Sequence, residues 1–323
     1  MAMLQKVNAG PWPALILASC LLSPAAGQAF SPDAMRSVVP VLPAWPGWES
    51  NGASGSGRPE NPEGTAVAVL PGGYLATNVH VLGAAEKADI RLTDGRLVAV
   101  EIIARDQASD IALIKAPVDI PVPEIGPTPG LGEKVCAVGN QFGMGLSVSC
   151  GVVSALNRTG TGFNPIEDFI QTDAAVNPGG SGGALFDDDS QLVGLVSAIF
   201  TKKSDANIGV NFAASMRLVL RVVKDLKLHG KVLRGTPGLT LARLTAEQLR
   251  EGSGALITEI DRSGAAFTAG LQAGDIVTAI GARIITAPTD FTAELHMYNP
   301  GDSVEIKFRR KSSVHTAKFA IVP

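Results

Sequence analysis

Short runs of apolar, often β-branched residues alternate with turn residues through most of residues 65–212. Typical runs cover residues 88–92, 98–104 and 111–115, and the turn sequence TDG follows the first of them. Few stretches here have the 3.6-residue period of an amphipathic helix. Strand-length runs separated by turn signals predict an all-β barrel or sandwich.

The pattern changes to a helical period after residue 215. Residues 216–229 carry apolar side chains at helical spacing, with Arg and Lys between them, and Gly230 follows as a stop signal. Beyond it the pattern predicts a strand at 255–260, a turn at 261–264, a short helix at 265–269, a helix at about 290–297 and two closing strands. At 323 residues, about two domains are expected. We place them at residues 64–230 and 231–323.

The first 29 residues follow neither pattern. They contain one charge, Lys6, an apolar core at 14–22 and small residues at 27–29, which is the pattern of a cleaved export signal. The core is too short to serve as a transmembrane anchor. The sequence LASC also matches a bacterial lipobox, in which Cys20 would be the lipidated first residue. Because the apolar core continues past Cys20, we favour cleavage near residue 29 and a soluble product.

Residues 30–63 are rich in Pro, Gly, Ser and Asn, and predict an arm followed by a flexible loop. They also contain Trp45 and Trp48, which either contact another subunit or pack on their own domain. The whole chain is 46% apolar with a formal charge of −3, as expected for a soluble globular protein. Without a basic excess, a nucleic-acid partner is not expected.

The candidate chemistry is concentrated around Ser181, in the sequence QTDAAVNPGGSGGAL. A serine hydroxyl becomes a nucleophile when a base removes its proton and backbone donors receive the resulting oxyanion. The flanking glycines allow a sharp turn in which the N–H groups of Gly179 and Ser181 converge. By itself this sequence is also compatible with a glycine-rich turn that carries an ordinary surface serine.

Two further motifs supply the missing groups. His80 lies in TNVHVL, and Asp110 precedes the strand-like run IALIK. The chain order His80, Asp110, Ser181 is the order of chymotrypsin-like proteases. We therefore predict Ser181 as nucleophile, His80 as general base and Asp110 as the group that orients the imidazole.

These stretches resemble the HtrA/DegP-type trypsin-like serine proteases. The resemblance rests on TNVHVL, SDIALIKA, AVGNQFGMG, GVVSALNRTG and EDFIQTDAAVNPGGSGGAL, and covers most of residues 64–219. It implies two six-stranded barrels, with His80 and Asp110 on the first, Ser181 on the second and the active site between them. It also implies oligomerisation, commonly as a trimer, through an N-terminal segment that bears aromatics.

The resemblance further implies where a substrate would bind. The backbone of Ser197, Ala198 and Ile199 would pair with the substrate as an added strand. Residues Ile208, Gly209 and Val210 would line the pocket for the residue before the cut bond, and their uncharged character predicts small aliphatic side chains there. The polar loop at 201–206 is expected to be mobile.

Two positions depart from the family pattern. Gly180 stands where this branch usually has Asn, and Ala184 stands where it usually has Pro. Gly180 removes a side chain that could brace the oxyanion turn, so we expect this turn to rest in an unready state until substrate arrives. Neither change removes a group that performs chemistry.

The stretch DRSGAAFTAGLQAGDIV resembles a PDZ domain of the HtrA type, which captures peptide C-termini or extended segments by strand addition. The matching carboxylate-binding loop consists of Thr236, Pro237, Gly238 and Leu239. Proline has no N–H, so we expect one of three donors to be missing and binding to free carboxylates to be weak. The histidines of this domain, His296 and His315, are predicted to be surface or packing residues.

Cys136 and Cys150 lie symmetrically about Gly143 in a predicted hairpin. Opposed strand positions in an exported protein favour a disulfide, and two free buried thiols are the alternative. No cluster of His, Cys and carboxylates has metal-ligand spacing, so neither a metal nor a cofactor is expected.

The sequence therefore predicts an exported, periplasmic serine endopeptidase of protein quality control that acts on unfolded or mislocalised proteins. Two alternatives remain open. One is a chaperone or tethering protein that retains the protease fold, and the other is a signalling protease of narrow specificity.

Overall fold

The computed structural model of the chain describes residues 30–45, 64–199 and 208–323. The predicted export signal, Cys20, Trp48 and the loop at 201–206 lie outside these residues. The described part is mostly β, and its two closed six-stranded barrels followed by a third sheet confirm the predicted fold class. None of its helices is long and apolar enough to cross a membrane.

The first barrel is closed in the order β1-β2-β3-β6-β5-β4. A short helix, α1 (Pro32–Arg36), precedes it, and a single helical turn, α2 (Val79–Leu82), follows β3. The strands are β1 (Val38–Pro43), β2 (Gly64–Leu70), β3 (Tyr74–Asn78), β4 (Ala88–Arg91), β5 (Leu97–Asp106) and β6 (Ile111–Lys115). The run at 111–114 is buried on both faces, which explains its continuous apolar sequence.

Strand β1 corrects the sequence prediction for residues 30–63. We predicted an arm and loop outside the barrel, with the domain beginning at residue 64. Instead, residues 38–43 pair with β2 on one side and with β4 on the other, and Val38 and Val41 are fully buried. Trp45 also packs on this barrel, where its indole N–H donates to the Val81 carbonyl at 3.3 Å. Barrel closure decides the conformation here, because it removes two strand edges.

The second barrel is closed in the order β10-β11-β12-β9-β8-β7. Its strands are β7 (Lys134–Gly139), β8 (Ser147–Arg158), β9 (Phe169–Thr172), β10 (Ala184–Asp187), β11 (Leu192–Ile199) and β12 (Asn211–Ser215), with a 3₁₀ turn at Gln141–Gly143. Cys136 and Cys150 are directly paired across β7 and β8, and the structure joins them in a disulfide.

Helix α3 (Met216–His229) matches the predicted helix in its bounds. The Ser215 hydroxyl accepts the Leu218 N–H at its start, and Gly230 adopts φ +68 at its end. Its apolar face joins one buried cluster with residues of both barrels, for example Leu113 and Phe186. The helix therefore holds the two barrels together as well as closing the second.

The C-terminal domain is a sheet in the order β13-β14-β15-β17-β18, with the short β16 paired to β15. Its elements are β13 (Leu239–Arg243), α4 (Ala246–Arg250), β14 (Ala255–Ile260), α5 (Ala265–Thr268), β15 (Ile276–Ile280), β16 (Arg283–Ile284), α6 (Pro288–Leu295), β17 (Ser303–Arg310) and β18 (Ser313–Ala320). A buried cluster of its own, which includes Ile257, Val304 and Phe319, forms its core.

Charged contacts join this domain to the barrels. Arg283 is almost completely buried and bonds the Asp168 carboxylate at 2.7 Å and the Asn157 carbonyl at 3.1 Å. On α6, the buried Glu294 pairs with Arg217 of α3. The Arg283–Asp168 pair is shielded from water, whereas the Arg217 side chain is about half exposed. Removing either partner of the shielded pair would leave a buried charge uncompensated, so this pair favours one orientation of the C-terminal domain against the barrels.

We expect His296, the residue that follows α6, to make the stability of the chain sensitive to pH. Burial, and after it the positive charge of Arg234, lowers the pKa of His296 to about 4; Arg221 acts in the same direction and Asp106 opposes them. The unfolded chain, with a histidine pKa near 6.5, binds more protons between pH 6.5 and 4. We therefore expect acidification across this range to remove about 3 kcal/mol of unfolding free energy through this residue.

Thermal denaturation of the wild type and of His296→Gln between pH 4.5 and 7.5 measures this effect. Since glutamine does not titrate, the melting temperature of the variant should fall less steeply below pH 6.5. His229→Gln, which removes an exposed histidine at the end of α3, is the matched control. Identical pH slopes for the wild type and His296→Gln would contradict the assignment.

Candidate active site

His80 lies on α2, directly after the end of β3. Its backbone N–H donates to Asp110 Oδ1 at 2.9 Å, and its ring Nδ1 lies 2.6 Å from Asp110 Oδ2. Both carboxylate oxygens therefore contact one histidine. When Nδ1 carries the proton that Asp110 accepts, Nε2 has a free lone pair and can act as a base.

Asp110 is held in an unusual backbone conformation, with φ +58. Its carbonyl accepts the Val79 N–H at 3.1 Å and the Asn78 side-chain amide at 3.0 Å. These bonds attach the turn before β6 to the end of β3. A strained residue that its surroundings over-determine is typical of a functional position.

Ser181 lines the same cleft as His80 and Asp110, a cavity of about 630 Å³ between the barrels. Its hydroxyl donates to the Ser197 carbonyl at 3.3 Å. The structure thus brings the three predicted residues into one cleft and joins His80 with Asp110, while the Ser181 hydroxyl is directed to β11. The hydrogen bond between a nucleophile and its base is often long or poorly aligned without substrate and tightens only when substrate is bound.

The turn before Ser181 is well braced. Gly180 N–H donates to the Asn177 carbonyl at 2.9 Å, and Gly179 has φ +90, as in a type II turn. The Phe142 N–H donates to the Pro178 carbonyl at 2.6 Å. Because the carbonyl and N–H of a trans peptide point in opposite directions, the Gly179 N–H points away from Phe142.

This arrangement differs from the expectation for Gly180. We expected a missing side chain at residue 180 to leave the turn unready. In the structure other groups hold it: the Thr65 hydroxyl donates to the Gly179 carbonyl at 2.7 Å, and the Asn177 amide donates to Gln141 at 2.7 Å. Gly179 itself has no room for a side chain, since a Cβ there would lie 2.3 Å from the Asn140 carbonyl oxygen.

Strand β11 presents backbone to the cleft. On one side Ala198 and Ile199 pair with β12. On the other side, pairing ends at Val196, whose backbone bonds Gly182 and Gly183 at 2.8 Å. Within the described ranges, no strand covers residues 197–199 on that side, where the Ser197 carbonyl already meets Ser181.

The residues predicted to bind substrate lie in different places. Ser197 lines the cleft, whereas Ile208, Gly209 and Val210 are not among the lining residues in the part of the chain that the structure describes. Ile208 is exposed, and Val210 packs against the main core cluster. These three residues follow directly on the undescribed segment 200–207.

The cleft is also lined by residues that the sequence did not indicate as site residues, among them Gln107, Phe163 and Asn164. Gln107 precedes Asp110 by three positions, which is the only signal that could have pointed to it. Phe163 and Asn164 belong to the connection between β8 and β9, whose sequence has no strand or helix period. No group of three or more His, Cys, Asp or Glu residues arranged to hold a metal occurs in the described ranges.

The loop that begins the C-terminal sheet has few free donors. Thr236 N–H donates to the Val322 carbonyl at 2.8 Å, and Gly238 N–H is accepted by the Thr236 hydroxyl at 3.1 Å. Pro237 between them has no N–H. Leu239 opens β13, the terminal strand of its sheet, which pairs with β14 on one side only.

Comparison with known proteins assigns both domains. Residues 64–195 match the trypsin-like peptidase domain family, and residues 207–321 match the PDZ domain family. The second match begins before β12, so it includes β12 and α3 in addition to the C-terminal sheet.

Two curated relatives and one solved structure illustrate the similarity. The chain is 34% identical over 278 residues to a Pseudomonas fulva protein named "Probable periplasmic serine endoprotease DegP-like", which covers 84% of this chain and 58% of that protein. It is 31% identical over 258 residues to the periplasmic serine endoprotease DegP of Salmonella typhimurium, with 77% and 54% covered. The chain thus spans a little over half the length of these relatives.

The solved structure of the HtrA-type protease AlgW with a tripeptide superposes with a TM-score of 0.70 at 30% identity, over 90% of this chain and 96% of that one. Both the order of domains and the fold of each are shared along nearly the whole of that protein. With its trypsin-like peptidase domain and one PDZ domain, this chain belongs to the HtrA family of DegP-like serine proteases.

Proposed function

We propose that this chain is a serine endopeptidase that hydrolyses peptide bonds in unfolded or mislocalised proteins of the periplasm. The observation that carries the proposal is the two-point contact between Asp110 and His80 in the cleft that also holds Ser181. The names of the curated relatives support the periplasmic location.

In the proposed mechanism, His80 Nε2 removes the proton of Ser181 while Oγ attacks the carbonyl carbon of the scissile bond. The N–H groups of Gly179 and Ser181 stabilise the oxyanion of the tetrahedral intermediate. His80 then returns the proton to the leaving amine, which leaves an acyl-enzyme on Ser181. In the second half of the reaction His80 removes a proton from a water molecule, which attacks the acyl carbon, and His80 then returns the proton to Ser181 Oγ as the acyl group is released. Asp110 keeps the imidazole in the correct tautomer and stabilises its positive charge.

We further propose that substrate adds a strand to the exposed edge at Ser197, Ala198 and Ile199, next to the reacting serine. Residues Ile208, Gly209 and Val210 would line the pocket for the residue before the cut bond. The open edge of β11 supports this assignment.

A fluorophosphonate probe tests the function directly. We expect it to label Ser181, as located by peptide mass spectrometry, and we expect the same preparation to digest unfolded casein. Absence of both reactions, together with retained binding of unfolded protein, would support the chaperone or tethering alternative instead. We also propose that the chain forms a homo-oligomer, a trimer by its resemblance to the family, and light scattering of an unlabelled sample tests this.

The PDZ domain should bind free peptide carboxylates more weakly than its relatives do, and it should still bind internal or extended segments. Its carboxylate loop lacks a donor at Pro237, and the Gly238 N–H is already bonded within the loop. A hydrogen bond to a charged acceptor contributes about 1.5–3 kcal/mol, so the missing donor should weaken carboxylate binding about tenfold or more. Strand addition to β13 uses other backbone groups and should persist.

Titration of the Ser181→Ala chain with matched free-acid and C-terminally amidated peptides measures this effect. The two affinities should be similar, and Pro237→Leu should strengthen binding of the free acid alone. A large preference for the free acid that Pro237→Leu does not increase would contradict the prediction.

A further inference from the structure

The connection between β8 and β9 is organised by one buried carboxylate. Glu167 is 3% exposed, and it accepts hydrogen bonds from four consecutive backbone N–H groups, those of residues 161–164, at 2.7–3.1 Å. It also accepts the Thr161 hydroxyl at 2.8 Å. Five donors on one carboxylate stabilise the conformation of this loop, because hydrogen bonds to a charged acceptor are shorter and stronger than those between neutral groups.

This carboxylate determines where Phe163 lies. The Phe163 ring packs against two other rings, with centroid separations of 6.5 Å to Phe169 and 5.7 Å to Phe212. Both partners are almost fully buried. Phe163 as a residue is 39% exposed, and it forms part of the cleft wall together with Asn164 and Gln107. Phe163 is therefore an apolar surface that faces the cleft and is fixed from behind.

Phe163 is connected to the proposed substrate strand through Phe212 and β11. Phe212, which supports the Phe163 ring, is the cross-strand partner of Ala198 on β11. Ala198 lies one residue beyond Ser197, whose carbonyl meets the nucleophile. A substrate strand that runs along β11 from the cut bond toward its own N-terminus would pass this wall with a side chain upstream of the cut residue.

We propose that Glu167 is a positioning residue for specificity, which fixes Phe163 as the wall of a subsite for an apolar substrate side chain two to four residues before the cut bond. The inference rests on the proposed peptidase function. Without the carboxylate, the four backbone N–H groups of this partly exposed loop would lose their shared acceptor, and the contacts that fix the conformation of the loop would be lost with it.

Kinetics with matched peptides test the proposal. The peptides share the cut residue and differ in having Leu or Gly at one position two, three or four residues upstream. The wild type should prefer Leu at one of these positions by at least about tenfold in kcat/KM, and Glu167→Ala and Phe163→Ala should each remove most of that preference. The loss should appear in KM more than in kcat, because the reacting groups are not altered.

Two variants separate positioning from general destabilisation. Glu167→Gln keeps one oxygen acceptor in the loop and should restore much of the preference for Leu. Glu133→Ala removes another carboxylate that bonds a loop N–H, that of Gly130 at 2.8 Å, at a site outside the described cleft lining, and should leave the preference unchanged.

The outcomes distinguish this inference from the function on which it rests. If fluorophosphonate labels Ser181 and the wild type cuts the peptides, but the Leu preference is absent or survives in Phe163→Ala, the subsite assignment is wrong and the peptidase stands. If the wild type neither reacts with the probe nor cuts, both proposals are wrong. If Phe163→Ala loses the preference and Glu167→Ala keeps it, the wall is correct and the positioning role of Glu167 is wrong.

Discussion

Ser181→Ala should lower kcat for casein and peptide cleavage by about 10⁵- to 10⁶-fold while leaving the fold intact. The Ser181 hydroxyl makes one 3.3 Å hydrogen bond, to the Ser197 carbonyl, and contributes little to packing. Its removal eliminates the only proposed nucleophile, whereas the type II turn at Gly179 and the His80–Asp110 contact remain.

Rates from a contaminant-free preparation and the melting temperature together measure the effect. Ser312→Ala, in the exposed turn between β17 and β18, is the matched control and should retain full activity. Cleavage by Ser181→Ala at a rate comparable to the wild type would show that another residue attacks the substrate.

Asp110→Asn should lower kcat at neutral pH by about 10⁴-fold. The asparagine carbonyl can keep the bond to the His80 backbone N–H, and the amide NH₂ then faces Nδ1 of the ring. A donor at that place requires Nδ1 to accept, so the ring proton moves to Nε2, where the base must have a free lone pair. The substitution therefore inverts the tautomer without removing any contact.

The comparison with Asp94→Asn controls for the change of charge. Asp94 is an exposed carboxylate that bonds the Arg96 N–H at 3.0 Å in a turn of the first barrel, so its replacement should change kcat by less than about twofold. Equal kcat values for Asp110→Asn and the wild type would mean that Asp110 shapes the local backbone and has no role in orienting the base.

The three residues that the structure brings into one cleft could be predicted because each lies in a short local pattern. His80, Asp110 and Ser181 stand next to strand ends whose apolar runs are visible in the sequence, and their chain order fits one known arrangement. Helix α3 was equally accessible, because its period, its stop glycine and its length agree.

Strand β1 was missed because local signals oppose it. Pro40 and Pro43 in VVPVLP lack N–H groups and argue against a strand paired on both sides, and the surrounding composition is that of a loop. Closure of the barrel overrides this local preference, and closure depends on residues 64–67 and 88–90, which are remote in sequence.

The contacts of Glu167 and Arg283 were not predictable for another reason. Glu167 bonds backbone groups of its own loop, and backbone N–H groups leave no mark in a sequence. Arg283 reaches Asp168 across 115 residues, and a single sequence contains no signal for a pair so distant. Such contacts depend on the packing of domains, which periodicity does not report.

The membership of β1 in the first barrel also limits how the N-terminus can be matured. A peptidase that cleaves near residue 29 releases a chain that keeps every strand of the barrel. A cut in segment 46–63 would instead break the covalent link between β1 and the rest of the barrel. If β1 then dissociated, the edges of β2 and β4 would be exposed, together with the core surface that Val38 and Val41 cover. A recombinant fragment that starts at Gly64, where the peptidase family match begins, would have this defect from the outset and should aggregate.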